Sequence, residues 1–454
     1  MKLFGTDGIR GSYGKFPMDI LTIKKIGLAV SRVLHKNINN IYIAHDGRES
    51  YKSVYENLLE GLLFEKVYTI KYLGLLPTPA LPYLLSSDKK QDSIGIQITA
   101  SHNPYYDNGI KIFGHDGYKI SKNEEKAIEE IVNNQDNFKK KIDCNFTIDQ
   151  HIVDRYIDYL SEKLISNIKF RKKINIAIDC SNGALSNIFS LLKLPANISF
   201  KLLNNSPDGK NINHNCGAVY PEQLSKFIIE NNINYKDDER IDFGIAFDGD
   251  GDRSILVSNS GRILDGDEIL YILSISNLPA TSTIVGTVMT NFGIRINFDK
   301  LGYNFIETSV GDKNVLEGII VHNAEIGSES SGHVIHNDSN IVPVGDAMIT
   351  LIKFIHLIER NNSTIDEIYP DSLKIPSELI NIEVSDTASW IENNFINFNK
   401  VEEILNEDGR LFIRESGTQP LIRILIEHKS EDILSKAKEI IKSIIYNGKK
   451  NNRR

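Results

Sequence analysis

Asp242-Phe-Gly-Ile-Ala-Phe-Asp248-Gly-Asp-Gly-Asp-Arg253 is the stretch that decides how this chain folds. Its first half is a short apolar run, a strand with both faces buried. Its second half stops that strand with carboxylates and glycines. A buried strand ending in Asp and Gly belongs to α/β sheets, whose functional loops leave the carboxyl ends of strands. The pattern recurs where Ile41-Tyr-Ile-Ala44 meets His45-Asp-Gly-Arg48, and where Ile174-Asn-Ile-Ala-Ile178 meets Asp179-Cys-Ser-Asn-Gly183. Helical spacing lies between, from Leu21 to Leu34 and again after Pro221, a residue suited to a first helical turn. Such alternation predicts α/β domains built more than once.

The C-terminal part has another order. Arg410-Leu-Phe-Ile-Arg414 and Leu421-Ile-Arg-Ile-Leu-Ile-Glu427 read as strands around a polar loop. A helix follows, with Ser430 as N-cap, an apolar face from Ile433 to Ile445, and Gly448 as its expected close. Residues 361–380 break the preceding helical pattern with polar residues and proline, which predicts a linker. We expect domains over 1–150, 151–256, 257–368 and 369–454, the last smaller and α+β.

The 454 residues carry 52 Lys+Arg against 60 Asp+Glu, a formal net charge of −8. That balance offers no general attraction to nucleic acid or to an anionic membrane. Three cysteines without metal-ligand spacing predict free thiols and a cytoplasmic protein. No uncharged apolar run is long enough to span a bilayer.

Asp248, Asp250 and Asp252 alternate with glycine, so three carboxylates can curl around one hard cation. An EF-hand loop would need Gly and Glu where Arg253 and Asn259 stand. A purely structural loop would crowd like charges without benefit, so the reading is a magnesium site with a phosphate nearby. Thr99-Ala-Ser-His-Asn-Pro104 follows the apolar run Ile94–Ile98 and places the Ser101 hydroxyl at a strand end. It is not a serine hydrolase motif, because the Gly-x-Ser-x-Gly flanks are missing. Arg414-Glu-Ser-Gly-Thr-Gln-Pro-Leu-Ile-Arg423 offers two guanidinium forks and two hydroxyls to a phosphate. Glu325-Ile-Gly-Ser-Glu-Ser-Ser-Gly-His333 offers Glu329 and Ser331 to sugar hydroxyls and His333 as a titratable group.

With Phe4-Gly-Thr-Asp-Gly-Ile-Arg-Gly11, Asn211-Ile-Asn-His-Asn-Cys-Gly217 and Gly286-Thr-Val-Met-Thr-Asn-Phe-Gly293, these loops resemble the α-D-phosphohexomutase superfamily in order and over nearly the whole chain. Within it the chain looks most like the bacterial members acting on glucosamine phosphates. The resemblance implies three related α/β domains and a smaller α+β C-terminal domain around a central cleft, each contributing one loop. It implies that Ser101 is phosphorylated and that Asp248, Asp250, Asp252 and the Ser101 phosphate hold one Mg²⁺ per subunit. It gives Arg253 and His102 the task of orienting the phosphoserine, and puts Arg10 and Lys111 beside it. Lys111 and His333 are the candidate general acid/base groups. Glu329, Ser331, Arg414, Ser416, Gly417, Thr418 and Arg423 would bind substrate. The implied reaction moves phosphate between O6 and O1 of glucosamine, with glucosamine 1,6-bisphosphate as intermediate and activator. The partner is thus a small hexosamine phosphate, met by a monomer or homodimer. A phosphomannomutase or phosphoglucomutase, or a non-catalytic sugar-phosphate sensor, are the alternatives. Ser328, Lys313 and Gln419 depart from the usual pattern.

Overall fold

Local chemistry builds the elements before any packing is invoked. In the computed structural model, helix Ile20–Val33 starts where the Asp19 side chain accepts from Thr22 N. Helix Lys122–Asn134 opens with a Ser121/Glu124 capping box, and Gly266–Asn277 with an Asp265/Glu268 box. The structure describes residues 2–34, 36–88, 91–136, 138, 143–166, 172–235, 239–337, 341–384, 387–415 and 421–451.

The first sheet holds β1 (Ile9–Ser12), β2 (Asn40–His45), β3 (Thr69–Leu75), β4 (Ser93–Ile98) and β5 (Asp107–Phe113), ordered β1-β5-β4-β2-β3. The second holds β6 (Ile174–Asp179), β7 (Ile198–Leu203), β8 (Phe243–Phe247), β9 (Ser254–Ser258) and β10 (Ile263–Leu264), ordered β10-β9-β8-β6-β7. The third holds β11 (Thr283–Thr287), β12 (Asn304–Thr308), β13 (Ile326–Ser328), β14 (Val334–His336) and β15 (Val344–Gly345), ordered β12-β11-β13-β14-β15.

Read from the β3, β7 and β12 edges, the first four strands follow one order in all three sheets; the fifth is the N-terminal strand β1 in the first sheet and the last strand, β10 or β15, in the other two. Each sheet pairs two central strands in parallel, β2 with β4, β6 with β8 and β11 with β13. Each then turns back through an antiparallel hairpin, β4–β5, β8–β9 and β13–β14. The hairpin loops are residues 99–106, 248–253 and 329–333. Thus the serine, the three aspartates and the Glu329–His333 segment occupy equivalent places in three related domains. The expected division at 256 falls inside β9, and the second sheet continues to Leu264 because β10 pairs with β9.

By internal contacts the chain divides into two units, Met1–Met289 with Ile306–Pro370, and Thr290–Phe305 with Asp371–Arg454. The division after Pro370 falls inside the expected linker, which also carries a short capped helix at Ile365–Ile368. The second unit has the antiparallel sheet of β16 (Ser377–Glu383), β17 (Gly409–Glu415) and β18 (Leu421–His428), ordered β16-β18-β17. Ile422, Ile424 and Ile426 of β18 pack with Trp390, Val401 and Leu405 of helix Thr387–Leu405 and with Leu434, Ala437 and Ile441 of helix Glu431–Asn451. That last helix runs through Gly448 instead of closing there; a glycine inside a helix costs only about 1 kcal/mol.

Candidate active site

Ser101 lies in the β4–β5 loop with φ 53°, a left-handed conformation unfavourable for a residue with a side chain. It is fully buried, and its Oγ donates to Asp248 Oδ2 at 2.7 Å. His102 Nδ1 lies 3.3 Å from the same oxygen. The loop is held mainly through its backbone. Ser101 N donates to Thr99 Oγ1 at 2.8 Å, and the Thr99 hydroxyl donates to Asp46 Oδ2 at 2.7 Å. Arg48, with no exposed surface, places all five N–H groups: Nε on Asp46 Oδ2, Nη1 on the carbonyls of Pro104 and Asp107, and Nη2 on those of Ser101 and Asn103.

Asp248, Asp250 and Asp252 meet Ser101 from the β8–β9 loop, with carboxylate oxygens within 4.8 Å of one another. Gly251 makes the turn at φ 71°, where its N–H donates to Asp248 O at 3.2 Å. Thr78 orients Asp250, its Oγ1 donating to Oδ2 at 2.6 Å. Lys111 of β5 reaches the cluster, with Nζ 2.7 Å from Asp252 Oδ2, 2.9 Å from Asp250 Oδ2 and 3.0 Å from Asp7 Oδ2. Arg10 pairs with Asp7. Arg253 donates from its backbone to Asp248 Oδ1 at 3.1 Å, and its buried Nε lies 3.8 Å from Asp252 Oδ1.

Electrostatics separate these carboxylates. Burial, aided by Asp252 and Asp250, pushes Asp248 well above the usual carboxylate range. Burial opposes ionisation at Asp252 too, but Lys111 and His333 outweigh it and hold that group well below the usual range. Burial would favour a neutral Lys111 amine; Asp250, Asp252 and Asp7 prevail, and the ammonium is held well above its ordinary value. His333 Nδ1 stands 3.6 Å from Asp252 Oδ1, which raises the imidazole against the effect of burial. Burial, with Arg253 and Arg10, lowers His102 to about 4, so its ring is neutral near pH 7.

The donor set suits a hard divalent cation. It consists of carboxylate oxygens alone, and among the described residues Asp250 Oδ1 and Asp252 Oδ1 are buried with no hydrogen-bond partner.

In the β13–β14 loop, Glu329 is buried and its Oε1 accepts from Gly311 N at 2.8 Å, while Ser331 is exposed. Gly332, at φ 90°, brings this loop against the second sheet, where its carbonyl accepts from Ser254 N at 2.9 Å. Ser328 donates to Gly266 O at 2.9 Å, and Lys313 pairs with Glu125. In the second unit Arg414 and Arg423 are direct cross-strand partners on β17 and β18. Among the described residues neither Nε has a hydrogen-bond partner, and burial with Arg423 lowers the Arg414 pKa. Two like charges thus stand directly opposite each other, an arrangement that is destabilising on neighbouring strands. Ser416, Gly417, Thr418 and Gln419 lie outside the described residues.

Sequence reading passed over Arg48, Thr78 and Thr99 as site-forming residues. The first stands in the quoted turn His45–Arg48; an Arg two residues beyond a strand-ending Asp46 was the available signal.

Three repeated α/β sheets presenting a serine, an aspartate triad and a Glu–His loop from equivalent hairpins define a phosphohexomutase architecture. The chain belongs to the phosphoglucomutase/phosphomannomutase family. The family's alpha/beta/alpha domains I, II and III match residues 1–139, 154–261 and 265–374, and its C-terminal domain matches 379–443. Among named relatives, the phosphoglucosamine mutase of Solibacter usitatus is 35% identical over 434 residues, covering 94% of this chain and 94% of that protein. The phosphoglucosamine mutase of Limosilactobacillus reuteri is 34% identical over 448 residues, covering 96% of each. The fold is also that of a phosphoglucomutase/phosphomannomutase family protein from Burkholderia thailandensis, at TM-score 0.73 and 20% identity over 98% of this chain and 97% of that one. A structure of Aspergillus fumigatus N-acetylphosphoglucosamine mutase in complex with GlcNAc-6P and magnesium matches at TM-score 0.62 and 16% identity, covering 98% and 96%.

Proposed function

We propose that this protein is a phosphoglucosamine mutase, interconverting glucosamine 6-phosphate and glucosamine 1-phosphate on the route to UDP-N-acetylglucosamine and cell-wall precursors. The observation that carries the reading is the Ser101 hydroxyl 2.7 Å from Asp248, inside a triad of buried aspartates. Ser101 in its phosphorylated form gives its phosphoryl group to the O1 hydroxyl of glucosamine 6-phosphate. The O1–P bond forms as the Ser101 Oγ–P bond breaks, leaving glucosamine 1,6-bisphosphate and a free serine. After the bisphosphate turns over, its 6-phosphate returns to Ser101 and glucosamine 1-phosphate leaves.

Asp248, Asp250 and Asp252 would hold a Mg²⁺ ion, which when bound neutralises the crowded charge and polarises the transferring phosphoryl group. Arg10 supplies fixed positive charge near the serine, and Lys111 or His333 moves the proton of the attacking or leaving hydroxyl. His102 and Arg253 orient the serine phosphate. Glu329 and Ser331 meet sugar hydroxyls. Arg414 and Arg423 take the phosphate that is not reacting, with Ser416, Gly417 and Thr418 completing the cradle. No helix among the described residues is long and apolar enough to cross a membrane. All three cysteines are free thiols, which supports a cytoplasmic site of action.

The deciding experiment compares kcat/KM for glucosamine 6-phosphate, glucose 6-phosphate and mannose 6-phosphate on the Mg²⁺-loaded, Ser101-phosphorylated protein. Glucosamine 6-phosphate is expected to lead, and a clear preference for mannose 6-phosphate would reject the assignment. Ser101→Ala is expected to abolish turnover; unchanged turnover would dismiss the phosphoserine route and leave a binding protein or another chemistry.

A further inference from the structure

The loop Asn211-Ile-Asn-His-Asn-Cys-Gly217 belongs to the second sheet's domain, yet its Asn213 reaches into the serine loop of the first. Asn213 Nδ2 donates to Ser101 O at 2.9 Å and to Asn103 O at 3.2 Å. These are the same two carbonyl oxygens that Arg48 Nη2 engages at 2.7 and 2.8 Å. Each carbonyl has two lone pairs, so both donors can be accommodated at once. We propose that Arg48 and Asn213 are positioning residues that together clamp the backbone around Ser101 and so fix its Oγ for phosphoryl transfer. This rests on the reading of Ser101 as the phosphorylated group.

The physical need for such a clamp is visible at Ser101 itself. A non-glycine residue in a sparsely populated conformation is strained and persists only where its surroundings over-determine it. The clamp supplies that restraint from two domains. On one side Arg48 is locked by Asp46, which also accepts from Thr99. On the other, Asn213 is buried at φ 57° and anchored through its N–H, which donates to Ser181 O at 2.9 Å. Ser181 N in turn donates to Asp179 Oδ1 at 2.9 Å, and Gly217 N to Asp179 Oδ2 at 2.9 Å. The two domains are joined again where Glu49 N donates to Gly209 O at 2.8 Å. Because Asn213 and Asp248 belong to the same domain, the clamp registers the serine loop of one domain to the aspartate loop of the other.

Two substitutions isolate the Asn213 side-chain donor, without which the clamp is incomplete. Asn213→Asp keeps shape and tolerance of the left-handed backbone but turns acceptors toward the two carbonyls. Asn213→Gly keeps the backbone and deletes the side chain. Both are expected to keep a cooperative thermal transition and a KM for glucosamine 6-phosphate near the wild-type value. Their kcat should fall about 10- to 100-fold, because a displacement near 1 Å is enough for such a loss. Ser101 should also refill more slowly from glucosamine 1,6-bisphosphate, followed by intact mass. A folded variant of either kind with kcat within about twofold of wild type overturns the clamp. So does loss of cooperative folding in both, since the loop would then serve folding and not positioning. Wild-type mass and Ser101→Ala are measured alongside. An unphosphorylated wild type with a fully active Ser101→Ala variant rejects the phosphoserine reading itself. A phosphorylated wild type with unaffected Asn213 variants rejects only the clamp.

Discussion

Burial alone would keep Asp248, Asp250 and Asp252 from sharing one loop as three anions. Lys111 offsets part of that charge, with Nζ within 3.0 Å of Asp7, Asp250 and Asp252, but among the described residues Asp250 Oδ1 and Asp252 Oδ1 keep no hydrogen-bond partner, and His333 and Arg253 come no nearer to Asp252 Oδ1 than 3.6 and 3.8 Å. Carboxylate oxygens left without hydrogen-bond partners are free to ligate a divalent cation. Asp252→Asn is therefore expected to weaken Mg²⁺ or Mn²⁺ binding by at least about 10- to 100-fold, the range reached when even an outer partner of a metal ligand is lost. Titration calorimetry on the folded, Ser101-phosphorylated variant checks this, and an unchanged Kd would remove the triad as the cation site. At this scale the aspartate cluster is legible in sequence because three spaced carboxylates on a strand-ending loop have few other uses, whereas the Ser101 stretch taken alone reads equally well as a plain turn and stands out only beside the other loops. The groups that hold them are hidden. Arg48 lies 53 residues from Ser101 and Asn213 lies 112 away, and both act on backbone carbonyls, which carry no residue-type signal.

The elements themselves follow from shorter-range rules. Continuous apolar runs become the buried central strands β2, β4, β6 and β8, and a Ser or Asp before an amphipathic run becomes a helix start. Helix packing is less legible, because it depends on which faces meet. Helix Ile20–Val33 crosses helix Tyr51–Leu62 where two glycines face each other. A Cβ on Gly61 would stand 2.0 Å from Lys24 O, and one on Gly27 2.3 Å from Leu58 O. On an exposed helix, Gly→Ala gains about 0.5–1 kcal/mol. Here the sign reverses, since the obstruction is backbone that cannot rotate away. Gly61→Ala is expected to destabilise the domain by about 1–3 kcal/mol, the usual range for overpacking. Urea titration of the first transition reads this, and a midpoint equal to or above wild type would mean that the helices separate freely.

At the scale of the molecule, three sheets share the order of their first four strands; the recurring strand-to-Asp/Gly pattern announces related domains but not this order, because buried strands accept many mixtures of Ile, Val and Leu. The net charge of −8 is equally silent until the carboxylates are placed. One of them ties distant parts of the first unit together. Asp346 caps helix Ala347–Asn361, its Oδ1 accepting from Met348 N at 2.9 Å and Ile349 N at 3.2 Å. Its Oδ2 accepts from the Tyr156 hydroxyl of helix Gln150–Ile165 at 3.2 Å, and the next residue's N–H donates to Gly251 O at 3.3 Å in the aspartate loop. Burial lifts the Asp346 carboxyl to about 6, against the opposing pull of Ile349, Tyr156 and Met348. An Asp in the unfolded chain titrates near its ordinary 3.8. Between those values the folded state keeps a proton that the unfolded state releases, so this group's contribution to stability falls as pH rises from about 4 to about 6. Above that window both states are ionised, and the folded state carries a constant cost of about 3 kcal/mol. Asp346→Asn keeps an oxygen for the helix cap and a polar contact for Tyr156, but carries no charge. The variant is therefore expected to gain more in thermal midpoint over wild type at pH 7.5 than at pH 4.5. An equal difference at the two pH values would show that Asp346 titrates like an ordinary surface carboxylate, and that the helix pair is not held by a buried, protonatable cap.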